Sequence, residues 1–289
     1  MRRYLFLLTL LLLGGFPSPA LSSGIESLEE IARAAAAQQP GLNNYQALLE
    51  TDRVAEMIAK MTANLPPDAP RPQPPVLRKY WTRESGRVVV KADSMTAFPY
   101  MQEMVKRFSR EFALELNGFF LPAHASAQRK ALFALARAQQ GENILGEERR
   151  LTVDLAFAAP TDLHRAFFAD GLGLPQEGVT ALACELDPVR KLLRRMEVTT
   201  RSNRFSAELR YETLEKETLL TEVRVTTQDG RVDERFVNFF APFDGFNLPT
   251  RQVRTSNRDG QQEVFSVTFS DYRINGDLPA AIVRELQQP

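Results

Sequence analysis

In the second half of the chain, apolar and polar side chains alternate residue by residue. Leu151, Val153, Leu155 and Phe157 are separated by Thr152, Asp154 and Ala156, and Phe205, Ala207, Leu209 and Tyr211 are flanked by Arg204, Ser206, Glu208 and Arg210. A period of two places each set on one face of a strand. Val223 and Val225 lead to Asp229-Gly230, and Phe236, Asn238 and Phe240 follow; Thr250–Ser256 and Gln261–Ser270 flank Asp259-Gly260. Asp-Gly between alternating runs predicts hairpins, so the pattern describes a long antiparallel meander. Residues 160–178 read as an irregular excursion. Asp187-Pro188, a cap followed by a first-turn proline, predicts one short helix over Val189–Met196.

The first half is mostly helical in period. Ile25, Leu28, Ile31 and Ala35 predict a helix stopped by Pro40-Gly41. Tyr45, Ala47 and Leu49 alternate as a strand, and Val54, Ile58, Met61 and Leu65 return to helical spacing behind Thr51 or Asp52. Val76–Arg83 and Arg87–Ala92 form a predicted hairpin around Glu84-Ser85-Gly86. The strongest amphipathic pattern runs through Phe98, Met101, Val105, Phe108, Phe112, Leu116 and Phe119, and ends at Asn117-Gly118. Another helix is predicted from Ser126 through Leu132 and Leu135 towards Gly141. Six prolines between Pro66 and Pro75 make an extended linker.

Composition narrows the function classes. The 289 residues carry 36 Lys+Arg and 36 Asp+Glu, so nothing favours a nucleic-acid partner. One cysteine cannot form an internal disulfide, and the fold must rest on its core. Arg2-Arg3, the apolar run Leu5–Leu13 and the small residues Ala20, Ser22 and Ser23 describe a secretory signal peptide over 1–23. Cleavage near 22–23 is expected, leaving a periplasmic single domain over 24–289; an uncleaved anchor is the alternative. His124 and His164 stand 40 residues apart without the spacing of a zinc site, and no G-x-S-x-G nucleophile motif occurs. Cys184 sits in an apolar run and reads as an inert thiol. The chain is therefore expected to be non-catalytic, with no cofactor and no metal.

These periods imply an α+β fold, a long antiparallel meander with helices supplied by the first half, and a curled sheet of this kind can hold those helices against its concave face. Leu77 and Trp81, Val153, Leu155 and Phe157, and Phe205, Leu209 and Tyr211 are the expected hydrophobic, ligand-facing positions. Met101, Val105, Phe108 and Phe112 form the lid or core helix above them. In a filled core Leu209→Glu would threaten folding, but an open concavity is expected, in which Leu209→Glu lowers the melting temperature only modestly and abolishes binding of an acyl probe. Composition alone does not separate the two.

Several segments carry a family resemblance: Tyr45-Gln46-Ala47, Lys79-Tyr80-Trp81 before Gly86, Val88-Val89-Val90, Phe243–Pro249, Val264–Phe269 and Asp271–Asn275. In order and texture, over about residues 40–276, they resemble the LolA/LolB-like outer-membrane lipoprotein carrier and sorting proteins. The resemblance implies an incomplete barrel plugged by helices, and acyl cargo carried across the periplasm. It implies a lipid or acylated lipoprotein as partner, with a membrane-bound donor or acceptor protein as a further candidate. It carries over no individual residue except the general position of Trp81 and its strand. The alternative is a structural or interaction module of the envelope whose core is filled and ligand-free.

Overall fold

The computed structural model describes residues 19–64, 66, 75–94, 114–145, 148–258 and 260–287. The apolar run of the expected signal peptide, most of the expected proline linker and the segment with Met101, Val105, Phe108 and Phe112, expected as a helix, lie outside the described residues. The described elements begin with α1 (Pro19–Ala36), β1 (Asn44–Thr51), α2 (Asp52–Thr62), β2 (Val76–Thr82) and β3 (Val88–Ser94). A single 3-10 turn, Ala123–Ala125, leads into α3 (Ser126–Leu135) and directly into β4 (Ala136–Leu145). Then come β5 (Glu148–Thr161), β6 (Val179–Asp187), β7 (Leu192–Thr200), β8 (Arg204–Leu214) and β9 (Glu217–Thr227). The last elements are β10 (Val232–Phe243), β11 (Phe246–Arg258), β12 (Gln261–Ile274) and α4 (Ala280–Gln287).

The twelve described strands join one antiparallel sheet, in the order β3-β2-β1-β12-β11-β10-β9-β8-β7-β6-β5-β4. From β4 to β12 it is an uninterrupted meander, and β1 attaches to the last strand. Its two edges, β3 and β4, are consecutive in sequence. The sheet is a barrel left open between them.

Register decides which side chains share a face. Leu155 lies opposite Leu182, Leu182 opposite Val198, and Val198 opposite Phe205. Leu209 lies opposite Val223, Val223 opposite Phe236, Phe236 opposite Arg254, and Arg254 opposite Phe265. The same parity passes through Val267 and Phe269 to Leu49 and Leu77. Every predicted face residue therefore lies on one inner side. The outer side carries ion pairs such as Arg224–Asp233 and Arg235–Glu222.

The inner face of β5–β10 is covered by the chain's own segments. Leu28, Ile31 and Ala32 of α1, Leu132 and Phe133 of α3, and Leu116, Phe120, Leu163, Phe167 and Phe168 from the connecting segments pack on it. Each fully buried Leu or Phe contributes about 1.5–3 kcal/mol by leaving water. Val54 and Ile58 of α2 cover Ala47, Leu49, Leu77 and Phe269. α4 departs from the expected arrangement: Ile282 and Leu286 pack on Tyr80 and Val89, on the opposite side of β2 and β3.

Two helix expectations need correction. Residues 188–191 form a turn, and Leu192–Thr200 is strand β7, not a helix. Asp187 Oδ1 accepts the Arg190 N–H at 2.9 Å, as a helix cap would, but Lys191 at φ 56° ends the turn after one cycle. An N-cap and an Asx turn share that hydrogen bond. The helix from Ser126 stops at Leu135, and Ala136 is already extended (φ −98°, ψ 152°).

Candidate ligand cavity

At one end of the sheet the chain leaves α1 at Ala36, turns through Gln39 (φ 51°) and Gly41 (φ 90°), and enters β1. Arg83, just past β2, holds this turn. Its guanidinium donates to the carbonyl of Ala36, an orphan acceptor at the C-terminus of α1, and to those of Gln38, Gln39 and Leu42 in the turn that follows. Between this turn, the ends of β1 and β2, the 115–124 segment and the start of β11 lies a cavity of about 230 Å³. Tyr45, Trp81, Leu248 and Pro249 line it, together with Gln39 and Glu115. Tyr45 and Trp81, directly opposite one another across β1 and β2, stack with ring centroids 5.3 Å apart.

Glu115 is an ionic anchor in this wall. Its Oε2 accepts from the Tyr45 hydroxyl and from Lys79 Nζ at 3.0 Å. Lys79 is fully buried, with its ammonium 4.9 Å from the Phe269 ring centroid and 5.5 Å from that of Tyr45. A charge so placed is tolerable only when paired and hydrogen-bonded, which the carboxylate and the two rings provide. Burial, reinforced by the Glu115 charge, pushes the Tyr45 hydroxyl well above its ordinary range, so it remains a donor.

Among the described residues, two buried polar atoms of side chains that line this cavity have no hydrogen-bond partner, the indole Nε1 of Trp81 and Oε1 of Gln39. The Gln39 amide is oriented by its other end, since Nε2 donates to the Asn247 carbonyl at 3.0 Å. A smaller adjoining cavity of about 40 Å³ shares Ala35, Gln38, Asn117 and Gly118 with the first and reaches Tyr211. The Tyr211 hydroxyl donates to the Leu193 carbonyl at 2.9 Å, and burial raises its pKa.

The predicted site residues thus divide. Trp81 lines the larger cavity and Tyr211 the smaller. Val153, Leu155, Phe157 and Leu209 are buried, and Phe205 is packed against them, beneath the chain's own segments; Leu77 lies under α2. The open-concavity expectation for Leu209 does not hold, because the site is only 4% exposed and lies beside fully buried Ala207 and Val223. Gln39, Lys79 and Glu115 are additional polar residues of the site. Lys79 had a sequence signal, a lysine at the apolar parity of Leu77 and Trp81; Gln39, in a loop, had none.

The groups considered for catalysis are placed as follows. Cys184 is buried on β6, and burial pushes its thiol up to about 12. His124 and His164 both line an adjoining groove of about 430 Å³, with Arg87 and Arg165, that shares Glu84 and His124 with the first cavity. Burial, with the charges of Arg87 and Arg129, lowers the His124 pKa. Among the described residues no three His, Cys, Asp or Glu side chains gather as a metal site, and no helix is long and apolar enough to cross a membrane.

No protein-family model and no curated protein matches the chain. Solved structures do. A domain described as outer-membrane lipoprotein-sorting from Vibrio parahaemolyticus is 11% identical and superposes with a TM-score of 0.34, covering 93% of this chain and all of its own. A DUF1329 family protein from Desulfovibrio piger is 9% identical with a TM-score of 0.34, over 93% of this chain and 99% of that one. A LolA superfamily protein from Nitrosomonas europaea is 12% identical with a TM-score of 0.26, over 91% and 96%. At these superposition scores the likeness transfers no role.

Proposed function

We propose that this protein is a non-catalytic, exported carrier or binding protein for a lipid or an acylated lipoprotein, and that the cavity beside Trp81 receives part of the cargo. The observation that supports this reading is the cavity itself, about 230 Å³ of largely apolar lining at the end of an open sheet. The cargo does not occupy the β5–β9 face, whose apolar surface is already buried under α1, α3 and the 163–174 segment. That same filled core favours a second reading, a ligand-free interaction module of the envelope.

Organic extraction of protein purified from its native host separates the two. A stoichiometric acyl species supports the carrier; clean protein in repeated preparations supports the module. Titration with an acyl probe provides a second readout, because Trp81 is the single tryptophan and lies in the cavity wall. A fluorescence change on binding that is lost in Trp81-proximal variants places the probe there.

A further inference from the structure

The cavity beside Trp81 and the groove with the two histidines adjoin across the same pair of side chains, Glu84 and His124. A Cβ placed on Gly86 would lie 3.6 Å from His124 Nδ1, so the 84–87 hairpin sits directly against the 123–125 turn at this partition. The lining changes character across it. The cavity is bounded by Leu42, Trp81, Leu248 and Pro249, and its ionic groups Glu115 and Arg83 are engaged by Lys79 and by the carbonyls of the α1 turn. The groove is bounded by Arg87, His124, His164 and Arg165, with Glu84 as its single acidic side chain among the described residues.

Two of these basic groups are set there by a strained loop. His164 and Arg165 are consecutive, with φ of 49° and 59°, a left-handed conformation uncommon outside glycine. Asp162 Oδ1 and Gln176 Oε1 hold it, accepting their N–H groups at 2.7 and 3.2 Å. Arg165 shares its charge with Asp170 at 2.8 Å, and His164 Nδ1 lies 3.4 Å from Asp162. Arg87 is different. Its backbone N–H donates to Ser85 Oγ, and among the described residues its guanidinium forms no ion pair. It lies close enough for its charge to add to burial in lowering the His124 pKa. A guanidinium without a counter-ion in a solvent-open groove binds phosphate or carboxylate oxygens well, because neither partner is buried to meet the other.

We infer that the two spaces form one amphipathic site for an anionic acyl lipid: the chain lies in the cavity beside Trp81, and a phosphate or carboxylate head group reaches past His124 to Arg87 and Arg165. Arg87 is the principal contact, since Arg165 is shared with Asp170. A cationic head group would meet one glutamate against two arginines. This inference rests on the lipid-binding reading above and adds the charge of the head group.

The test uses the full-length protein with octyl phosphate, octanol, octyltrimethylammonium and inorganic phosphate, followed by Trp81 fluorescence and by calorimetry. Octyl phosphate is expected to bind at least about tenfold tighter than octanol, since hydrogen bonds between charged groups outweigh neutral ones. Arg87→Gln should cut the ratio of octyl phosphate to octanol affinity at least about fivefold, and Arg165→Gln should cut it less. Octanol or octyltrimethylammonium binding as tightly as octyl phosphate, or an unchanged ratio in Arg87→Gln, would overturn the inference while leaving a lipid-binding protein. Inorganic phosphate binding as tightly as octyl phosphate would overturn it too, leaving a free-anion site that ignores the chain. Failure of every probe to bind would remove the binding reading as well. Should Arg87→Gln melt early, the wild-type ranking of the probes still decides.

Discussion

Arg129 and Glu29, 100 residues apart in sequence, are joined by two hydrogen bonds of 2.8 and 3.2 Å inside the protein. The same guanidinium donates at 2.7 Å to the carbonyls of Pro122 and Ala166. One fully buried side chain therefore fastens α1, α3 and two connecting segments over the inner face. Arg129→Ala strands Glu29 and two carbonyls, and should cost about 3–5 kcal/mol in urea unfolding. A loss below about 1 kcal/mol would show that the knot is dispensable.

Glu29 also gives acid unfolding a sign. Burial raises its pKa, but hydrogen bonds from Arg129 and Ser126 outweigh this and hold it below the ordinary 4.5. A carboxyl lowered in the folded state adds stability that is complete above its unfolded value and is lost as pH falls through the folded one. Melting temperature should thus fall with acidification below about pH 4.5. In Glu29→Gln that component of the slope should be smaller, which melts at pH 3 and pH 7 measure directly.

Lys79 and Glu115 should behave as a coupled pair. Lys79→Met alone leaves a largely buried carboxylate without its cation and should destabilise by about 3–5 kcal/mol. Lys79→Met with Glu115→Leu should recover most of that loss, since replacing both members of a buried ion pair is often neutral. A double-mutant cycle with no coupling would contradict the 3.0 Å contact.

Leu209→Glu tests the filled core. Lost packing and an unpaired carboxylate beside Val223 should cost about 4 kcal/mol or more, so the variant should be largely unfolded or insoluble. A soluble variant with a near wild-type melt would mean that water reaches this face.

Cys184 reports on the same core without mutation. With its thiol pushed up to about 12 and fully enclosed, it should resist an aromatic disulfide reagent at pH 8 and react stoichiometrically in urea. Rapid native labelling would expose an opening of β6.

The sequence was legible where one force acts alone. Asp229-Gly230 and Gly260 fall at hairpin turns, with Gly230 at φ 71° and Gly260 at φ 80°, because few residues other than glycine accept such angles. Alternation placed Leu155, Leu209 and Trp81 on one side correctly, since a strand's side-chain period is fixed. It could not show that Leu155 and Leu209 are covered by α1 and the 163–174 segment, because coverage is tertiary. β4 was hidden for a different reason: Ala136, Ala138 and Gln140 face inward at an edge, where weakly apolar residues suffice. Lys79, Glu234 and Arg254 stand at inward positions that parity reserves for apolar groups, and their ion pairs involve residues distant in sequence. Local patterning does not encode such partners.

The attachment of β1 to β12 sets an order of events during synthesis. Strands β4 to β12 can pair in turn, each with the neighbour just made, so their loop-closure entropy stays small. β1 must wait. Asn275 accepts the Asn43 N–H across 232 residues and donates to the Gly41 carbonyl across 234, so this clasp cannot form until β12 and Asn275 have been made. Until then the β1–β3 unit carries an unpaired strand edge. Its docking should be the late, slow phase of refolding, and it is in that interval that the nascent chain most needs protection from aggregation.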